Sequence, residues 1–357
     1  MPSLTSWLDA PPDAWTRCLD RALVHHEQRR WSQTAQGKAL GLLFFASSLR
    51  TRTSMDLAAA HLGAHAVTLN PGQGVWGFEW RDHGPDGQPI TMDRDAAEHI
   101  REAVGVLSRY VDALGVRVFA TLSDHDADHA DTLFHRIAEV ATVPVVNLES
   151  ARWHPCQELG DAATIRTHFA RHGAERGTLP QGRRFVLAWA PHPKPLPRAV
   201  PNSALLMAAR LGMHVTVARP DGFGLDADIL DAARSTAETT GGSIAETDDL
   251  DAALAAEGGA HVVYAKAWHG DAVYEAPDDE AALRAQHADW MLTTDRMQRT
   301  DDGIFMHCLP VRRGVVVDGA VLDGPQARHL LQAEFRLHAQ KAILEWIWGL
   351  NEPDQVA

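Results

Sequence analysis

Two kinds of pattern alternate along this chain. Short unbroken apolar runs of about five residues read as buried strands, and longer stretches with apolar positions every three or four residues read as amphipathic helices. Residues 7–36 open in the helical register, with Trp7, Leu8, Trp15, Leu19, Ala22 and Leu23 set among charges. A strand is predicted over 41–46, a helix from Met55, and a strand over 66–70 that Pro71-Gly72-Gln73-Gly74 breaks. A loop then runs to about Thr91 carrying Trp76, Phe78, Glu79 and Trp80. Loops this long inside compact domains are usually functional or disordered.

Beyond that loop the pattern predicts a helix over 98–112, a strand over 114–119, a helix over 131–141, and a strand over 143–148 with Glu149 at its end. A connecting helix is expected over about 157–170 and a loop over 173–182. The alternation restarts with strands at 185–189, 214–218, 261–264, 290–292 and 303–307 and helices near 201–211 and 226–239. The last stretch, 334–350, returns to a helical period through Phe335, Ala339, Ala342, Ile343, Trp346 and Ile347. Alternating helices and apolar strands predict an α/β protein with parallel sheets, whose ligands gather at the strand carboxyl ends. At 357 residues the chain is long for one core and suits two doubly wound lobes joined by connecting helices.

The candidate chemistry starts at Ser47-Ser48-Leu49-Arg50-Thr51-Arg52-Thr53-Ser54, between a strand and a helix. That placement puts the amides of Thr51 to Thr53 at a helix N-terminus, where unpaired N–H groups and the dipole favour an anion. Arg50 and Arg52 add guanidinium forks suited to phosphate, and Ser48, Thr51 and Thr53 add hydroxyls. The alternative is a capped helix with two solvated arginines. Arg117, inside an apolar run, either snorkels to solvent or meets an anion at the strand end, because a buried arginine is costly unless paired.

Composition sharpens this picture. With 33 Lys+Arg against 47 Asp+Glu the net charge is −14, and no basic block tracks a nucleic-acid backbone, so nucleic acid is not an expected partner. No apolar run approaches a membrane span and the first residues lack a secretory pattern, so a cytoplasmic protein with no membrane partner is expected. Cys18, Cys156 and Cys308 are read as reduced thiols. The 20 histidines show no metal-ligand spacing, and no Gly-x-Gly-x-x-Gly follows the first strand of the second lobe; neither a metal nor a cofactor is expected.

Four segments in order resemble the aspartate and ornithine carbamoyltransferase family: the Ser48–Thr53 stretch, His154-Pro155-Cys156-Gln157-Glu158, His307-Cys308-Leu309-Pro310, and Glu334-Phe335-Arg336-Leu337-His338. Trp189–Leu196 and Tyr264–Trp268 resemble its N-acetylornithine and N-succinylornithine branch. The resemblance implies a carbamoyl-phosphate-binding domain at 1–150, completed by a C-terminal helix at 334–357, and an acceptor-binding domain at 151–333. It implies an active site in the cleft between them. Carried over by position, Ser48, Leu49 through its amide, Arg50, Thr51, Arg336 and a neighbouring subunit's copy of Trp76 hold the phosphate. Arg117 and His154 donate to the carbonyl oxygen. Gln157 and the carbonyls of Cys308 and Leu309 accept from the carbamoyl amide.

Glu149, Lys266 and Arg312 match positions around the acceptor. Two departures stand out: the acetyl-specific enzymes carry a glutamate where Ala97 aligns, and a lysine where Val316 aligns. Removing the negative charge would admit a second carboxylate. The expected activity is carbamoyl transfer to an N-acylornithine, succinyl rather than acetyl, in arginine biosynthesis by a homotrimer with shared active sites. The alternatives are a different short amine, such as a 2,3-diaminopropionate derivative, and an anion-binding relative without catalysis. For Trp76 the alternative is a local cluster with Phe78 and Trp80.

Overall fold

The structure, a computed structural model, describes residues 2–84, 86–172 and 180–350. The chain forms two compact units: Met1–Thr121 with Asp126–Cys156 and Arg336–Ala357, and Leu122–His125 with Gln157–Phe335. The boundaries fall at 156/157 and 335/336, a few residues beyond the expected 150/151 and 333/334. Of the expected elements, 173–179 and 351–357 lie outside the described residues.

In the first unit the elements run α1 (Ala14–Gln28), β1 (Ala39–Phe44), α2 (Arg50–His61), β2 (His65–Leu69), β3 (Phe78–Glu79), β4 (Glu98–His99), α3 (Ile100–Leu107), β5 (Ala113–Arg117), α4 (His125–His129, begun in the 122–125 excursion), α5 (Thr132–Val140) and β6 (Val145–Glu149). Four strands pair in parallel in the order β2-β1-β5-β6. The chain steps from β1 outward to β2, then returns to the other side of β1 to lay down β5 and β6. The switch point therefore lies between β1 and β5, where a doubly wound sheet opens a crevice at its carboxyl edge. Leu40, Leu42 and Leu43 are fully buried, as expected of a central parallel strand. Gly115 keeps β5 bare where a Cβ would come 2.9 Å from Leu42 Cδ2 and 3.0 Å from Leu148 Cδ1, so leucines of both neighbouring strands fill its place. Val104, Phe134 and Ile137 close the core against these strands.

The second unit continues with α6 (Pro155–His172, whose first two residues belong to the first unit), β7 (Arg184–Trp189), α7 (Ala199–Arg210), β8 (His214–Ala218), α8 (Ala227–Thr240), β9 (Ser243–Thr247), α9 (Leu250–Ala255), β10 (Val262–Lys266), α10 (Pro277–Gln286), α11 (Thr294–Met297), β11 (Ile304–Met306) and α12 (Gly319–Leu322). Its parallel sheet has the order β11-β10-β7-β8-β9. Here the switch lies between β7 and β10. The final helix, α13 (His329–Ile347), begins in the second unit and ends in the first.

Several elements differ from expectation for identifiable reasons. The opening helix is confined to α1, because Pro11-Pro12 cannot continue a helix backwards; the residues before it form bends and turns, and Leu4 bridges to Val146 of β6. The helix expected over 98–112 starts only at Ile100, since Glu98 and His99 pair with β3 and the His99 ring accepts the Arg101 amide at 3.2 Å. The strand expected at 290–292 does not form. Trp290 is buried against Trp189, and Leu292 makes a single bridge to Val317, so that apolar run reflects packing. The strand β9 escaped the pattern because it is a half-exposed edge bearing Ser243, Glu246 and Thr247. No described helix is long and apolar enough to cross a membrane.

Candidate active site

In the first unit the predicted residues collect at the carboxyl ends of β1, β5 and β6. The loop after β1 leads into α2 with Leu49 as N-cap. Ser48 Oγ accepts the Thr51 amide at 3.1 Å and the Leu49 carbonyl accepts that of Thr53 at 3.2 Å, so two of the three amides expected to face an anion are already engaged. Arg50 and Arg52 stand two residues apart on a helix with 3.6 residues per turn, so they cannot serve the same point; Arg52 is exposed. Instead Arg336, 3% exposed on α13, reaches this loop and donates from Nη2 to Thr51 Oγ1 at 3.1 Å. Arg336 thus joins Arg50 at one helix terminus, through a contact with Thr51 that spans 285 positions.

Arg117 ends β5, opposite Phe44 of β1 and opposite Glu149 of β6. Its buried guanidinium lies 4.5 Å from the Phe119 ring centroid and forms an ion pair through Nη1 with Glu149 Oε2. Of the two outcomes left open for Arg117, it is the anion that is found, and the anion is supplied by the protein. The Nε of Arg117 is buried without a hydrogen-bond partner among the described residues, an unmet donor. His154 Nε2 stands 3.5 Å from the same Glu149 oxygen. The turn between them is tied to Asp131, whose carboxylate accepts the Ser150 hydroxyl at 2.5 Å and the Ala151 amide at 2.8 Å. Burial pushes the Asp131 pKa up.

The second unit gathers a different set at the ends of β7, β10 and β11. Gln157, in the first turn of α6, donates Nε2 to Asp161 Oδ1 at 2.7 Å. Gln332 Nε2 donates to the same oxygen at 2.6 Å, while its Oε1 accepts the His307 amide at 2.9 Å. The His307 ring in turn accepts the Leu309 amide at 2.8 Å, which folds the 307–310 segment. Leu309 has φ +59°, a left-handed conformation that costs a branched residue on the order of 1–3 kcal/mol and tends to persist where function over-determines the backbone. Cys308 is half-buried; burial raises the buried thiols of Cys156 to about 11 and of Cys18 to about 12 and makes both poor nucleophiles.

Lys266 is the last residue of β10, paired with Trp189 of β7, and is only 9% exposed. It has no carboxylate partner among the described residues. Arg312 Nε donates to His192 Nε2 at 3.0 Å, and burial together with Arg312, Lys266 and Arg284 holds the His192 ring below its ordinary pKa. Arg284, in contrast, is already paired with Glu280.

Two predicted residues lie elsewhere, on the 70–99 segment of the first unit. Trp76 is 58% exposed and donates from its indole to Glu98 Oε2 at 2.8 Å. The local aromatic cluster does not form: Phe78 meets Phe45 at 6.3 Å, and Trp80 packs on the core. Ala97 is exposed just before β4, and Val316 is buried in the second unit. Asp161, Gln332 and His192 were not anticipated. Asp161 could have been, since it stands four residues after Gln157 on one helix face; nothing local marks Gln332.

Two doubly wound units, each with polar residues at its switch point and one with a cationic helix terminus, define a two-domain α/β protein of the class that takes ligands at strand carboxyl ends. The chain belongs to the aspartate/ornithine carbamoyltransferase family and is a transferase: the family's carbamoyl-P binding domain matches residues 3–167 and its Asp/Orn binding domain residues 198–347. It is 39% identical over 344 residues to N-acetylornithine carbamoyltransferase of Xanthomonas campestris pv. campestris, covering 95% of this chain and 97% of that one. It is 31% identical over 322 residues to N-succinylornithine carbamoyltransferase of Bacteroides thetaiotaomicron, covering 90% and 91%. A solved structure of an N-acetyl-L-ornithine transcarbamylase variant with a glutamate replaced by proline, in complex with carbamyl phosphate and N-succinyl-L-norvaline, superposes with a TM-score of 0.89 at 37% identity, covering 97% of this chain and all of that one.

Proposed function

We propose that this enzyme transfers the carbamoyl group of carbamoyl phosphate to the side-chain amine of an N-acylornithine, with succinyl preferred over acetyl. The observation that carries it is the joint placement of Arg336 on the α2 terminus and of Arg117 with His154 at the neighbouring strand ends. In this reading Ser48, the Leu49 amide, Arg50, Thr51 and Arg336 hold the phosphate. Arg117 and His154 stabilise the carbonyl oxygen as it gains charge, where one such donor is typically worth about 2.7–4 kcal/mol of barrier. Gln157 and the carbonyls of Cys308 and Leu309 accept from the carbamoyl amide. The neutral amine adds to the carbonyl carbon, the bond to the phosphate oxygen breaks, and the amine's proton is lost as phosphate leaves. Holding the two reactants side by side supplies much of the acceleration, up to ~7–11 kcal/mol.

Lys266, Arg312 and His192 would receive the acceptor's carboxylate. The succinyl preference rests on Ala97, which lacks the charge that the acetyl-specific branch places there, and on the succinyl ligand held by the glutamate-replaced relative. A different short amine is favoured by Val316, 2% exposed and unable to supply the branch's lysine. The reading extends to a homotrimer in which Trp76 serves a neighbour, supported by exposed Leu49, Leu57, Val67 and Trp76 in one unit, and to the cytoplasm, where three free thiols are at home. Phosphate release from carbamoyl phosphate with N-succinylornithine, N-acetylornithine, ornithine and 2,3-diaminopropionate derivatives tests it. Turnover with acylornithines is expected. Carbamoyl phosphate binding without turnover for any amine would leave only an anion-binding protein.

A further inference from the structure

We propose that Asp161 is a positioning residue that fixes which end of the Gln157 amide faces the substrate, and thereby makes the enzyme select a carbamoyl phosphate over acyl phosphates of the same size. The inference rests on the proposed function and deepens it, assigning a selectivity to side chains that touch no substrate.

The orientation starts from a group that cannot be reversed. A backbone N–H only donates, so the His307 amide requires the oxygen of Gln332 to face it, at 2.9 Å. The nitrogen of Gln332 must then point the other way, where it meets Asp161 Oδ1 at 2.6 Å and the Tyr264 hydroxyl at 3.2 Å. The same Asp161 oxygen lies 2.7 Å from the Gln157 amide. A carboxylate has lone pairs and no N–H, so the Gln157 atom facing it is nitrogen, and Oε1 is the acceptor end turned to the opposite side. Burial locks the relay: Asp161 and Gln332 are 1% exposed, Gln157 is 2% and Tyr264 is fully buried. Reversing Gln157 would set oxygen against oxygen in a buried setting, where an unmet polar group is costly. Burial and the neighbouring Asp161 and Cys308 also raise the Tyr264 pKa well above its ordinary value, which keeps the hydroxyl neutral beside the carboxylate.

A fixed acceptor distinguishes what size cannot. Carbamoyl and acetyl phosphate differ by NH2 against CH3, nearly equal in volume. A site built to accept from N–H rejects the analogue that lacks it, because its own acceptor is left unmet. Let the Gln157 amide turn, and that distinction fades.

The test compares the wild-type chain with Asp161→Asn and Gln332→Met in three measurements: KM for carbamoyl phosphate, and inhibition constants for acetyl phosphate and inorganic phosphate. The wild type should prefer carbamoyl over acetyl phosphate by about tenfold or more, the worth of one hydrogen bond. Either variant should lose roughly that preference through a raised carbamoyl phosphate KM, with inhibition by inorganic phosphate unchanged. A merely structural role would weaken all three ligands by a common factor, and that result, or an unaltered preference in a folded variant, overturns the proposal. If neither variant folds, the wild type decides: equal affinity for the two acyl phosphates overturns it. A chain that binds no carbamoyl phosphate counts against the proposed function itself.

Discussion

Arg117 and Glu149 stand opposite each other at the ends of β5 and β6, and their side chains form a buried ion pair that also has His154 within 3.5 Å. One carboxylate thus sets the position of both expected oxyanion donors. Removing it strands a buried guanidinium. Glu149→Ala should lower stability by about 3–5 kcal/mol in urea unfolding, and adding Arg117→Ala to it should recover part of that loss. Strict additivity of the two substitutions would show that the pair is not coupled. Arg117→Ala alone should lower kcat by roughly a hundredfold to a thousandfold.

The Arg336 to Thr51 contact predicts a separate effect on the phosphate end. Arg336→Ala should raise the inhibition constant of inorganic phosphate by about tenfold to a hundredfold, the range of hydrogen bonds to charged groups. Thr51→Val should act in the same direction and more weakly. Unchanged inhibition in the arginine variant would remove Arg336 from the anion site.

Acceptor choice should follow charge at position 97. Ala97→Glu is expected to shift the ratio of kcat/KM from N-succinylornithine towards N-acetylornithine by tenfold or more, since a carboxylate there repels the second carboxylate of the succinyl group. Competing the two acceptors in one reaction and quantifying both ureido products measures it directly.

Stability should fall on acidification. Burial, with His26 and Lys341 beside it, lowers His338 to about 3, and burial with Arg198 lowers His269 to about 4. Both pKa values lie below the ordinary 6.5 of the unfolded chain. Between about pH 6.5 and 4 the unfolded state therefore binds protons that the folded state does not, and stability drops as pH falls through that window. Thermal melts from pH 7.5 to 4.5 should show the decline, and His338→Gln should make it shallower.

Much of the architecture was legible because parallel strands buried on both faces leave unbroken apolar runs, as at Leu40–Phe44 and Val262–Ala265. Where a strand is a half-exposed edge, as in β9, that signal vanishes, and where an apolar run only packs, as at Trp290, it misleads. The step from strand through polar loop to helix at Ser47–Arg50 could be read from its own residues. What could not be read was partnership. Glu149 was assigned to the acceptor from position alone, and only the fold shows it beside Arg117. Arg52 looked equivalent to Arg50 until the helix turned it outwards. Gln332 lies 171 residues from Asp161, and no spacing rule joins residues at that distance.

The first unit is closed by Arg336 to Ile347, the last described helical turns, which are made long after Arg50 and the four strands of that unit. Proteins emerge from the ribosome N-terminus first. The proposed phosphate site of a nascent chain therefore stays unfinished until α13 has been made, and polypeptides cut short before α13 should be unable to hold the anion however well their first four strands have assembled.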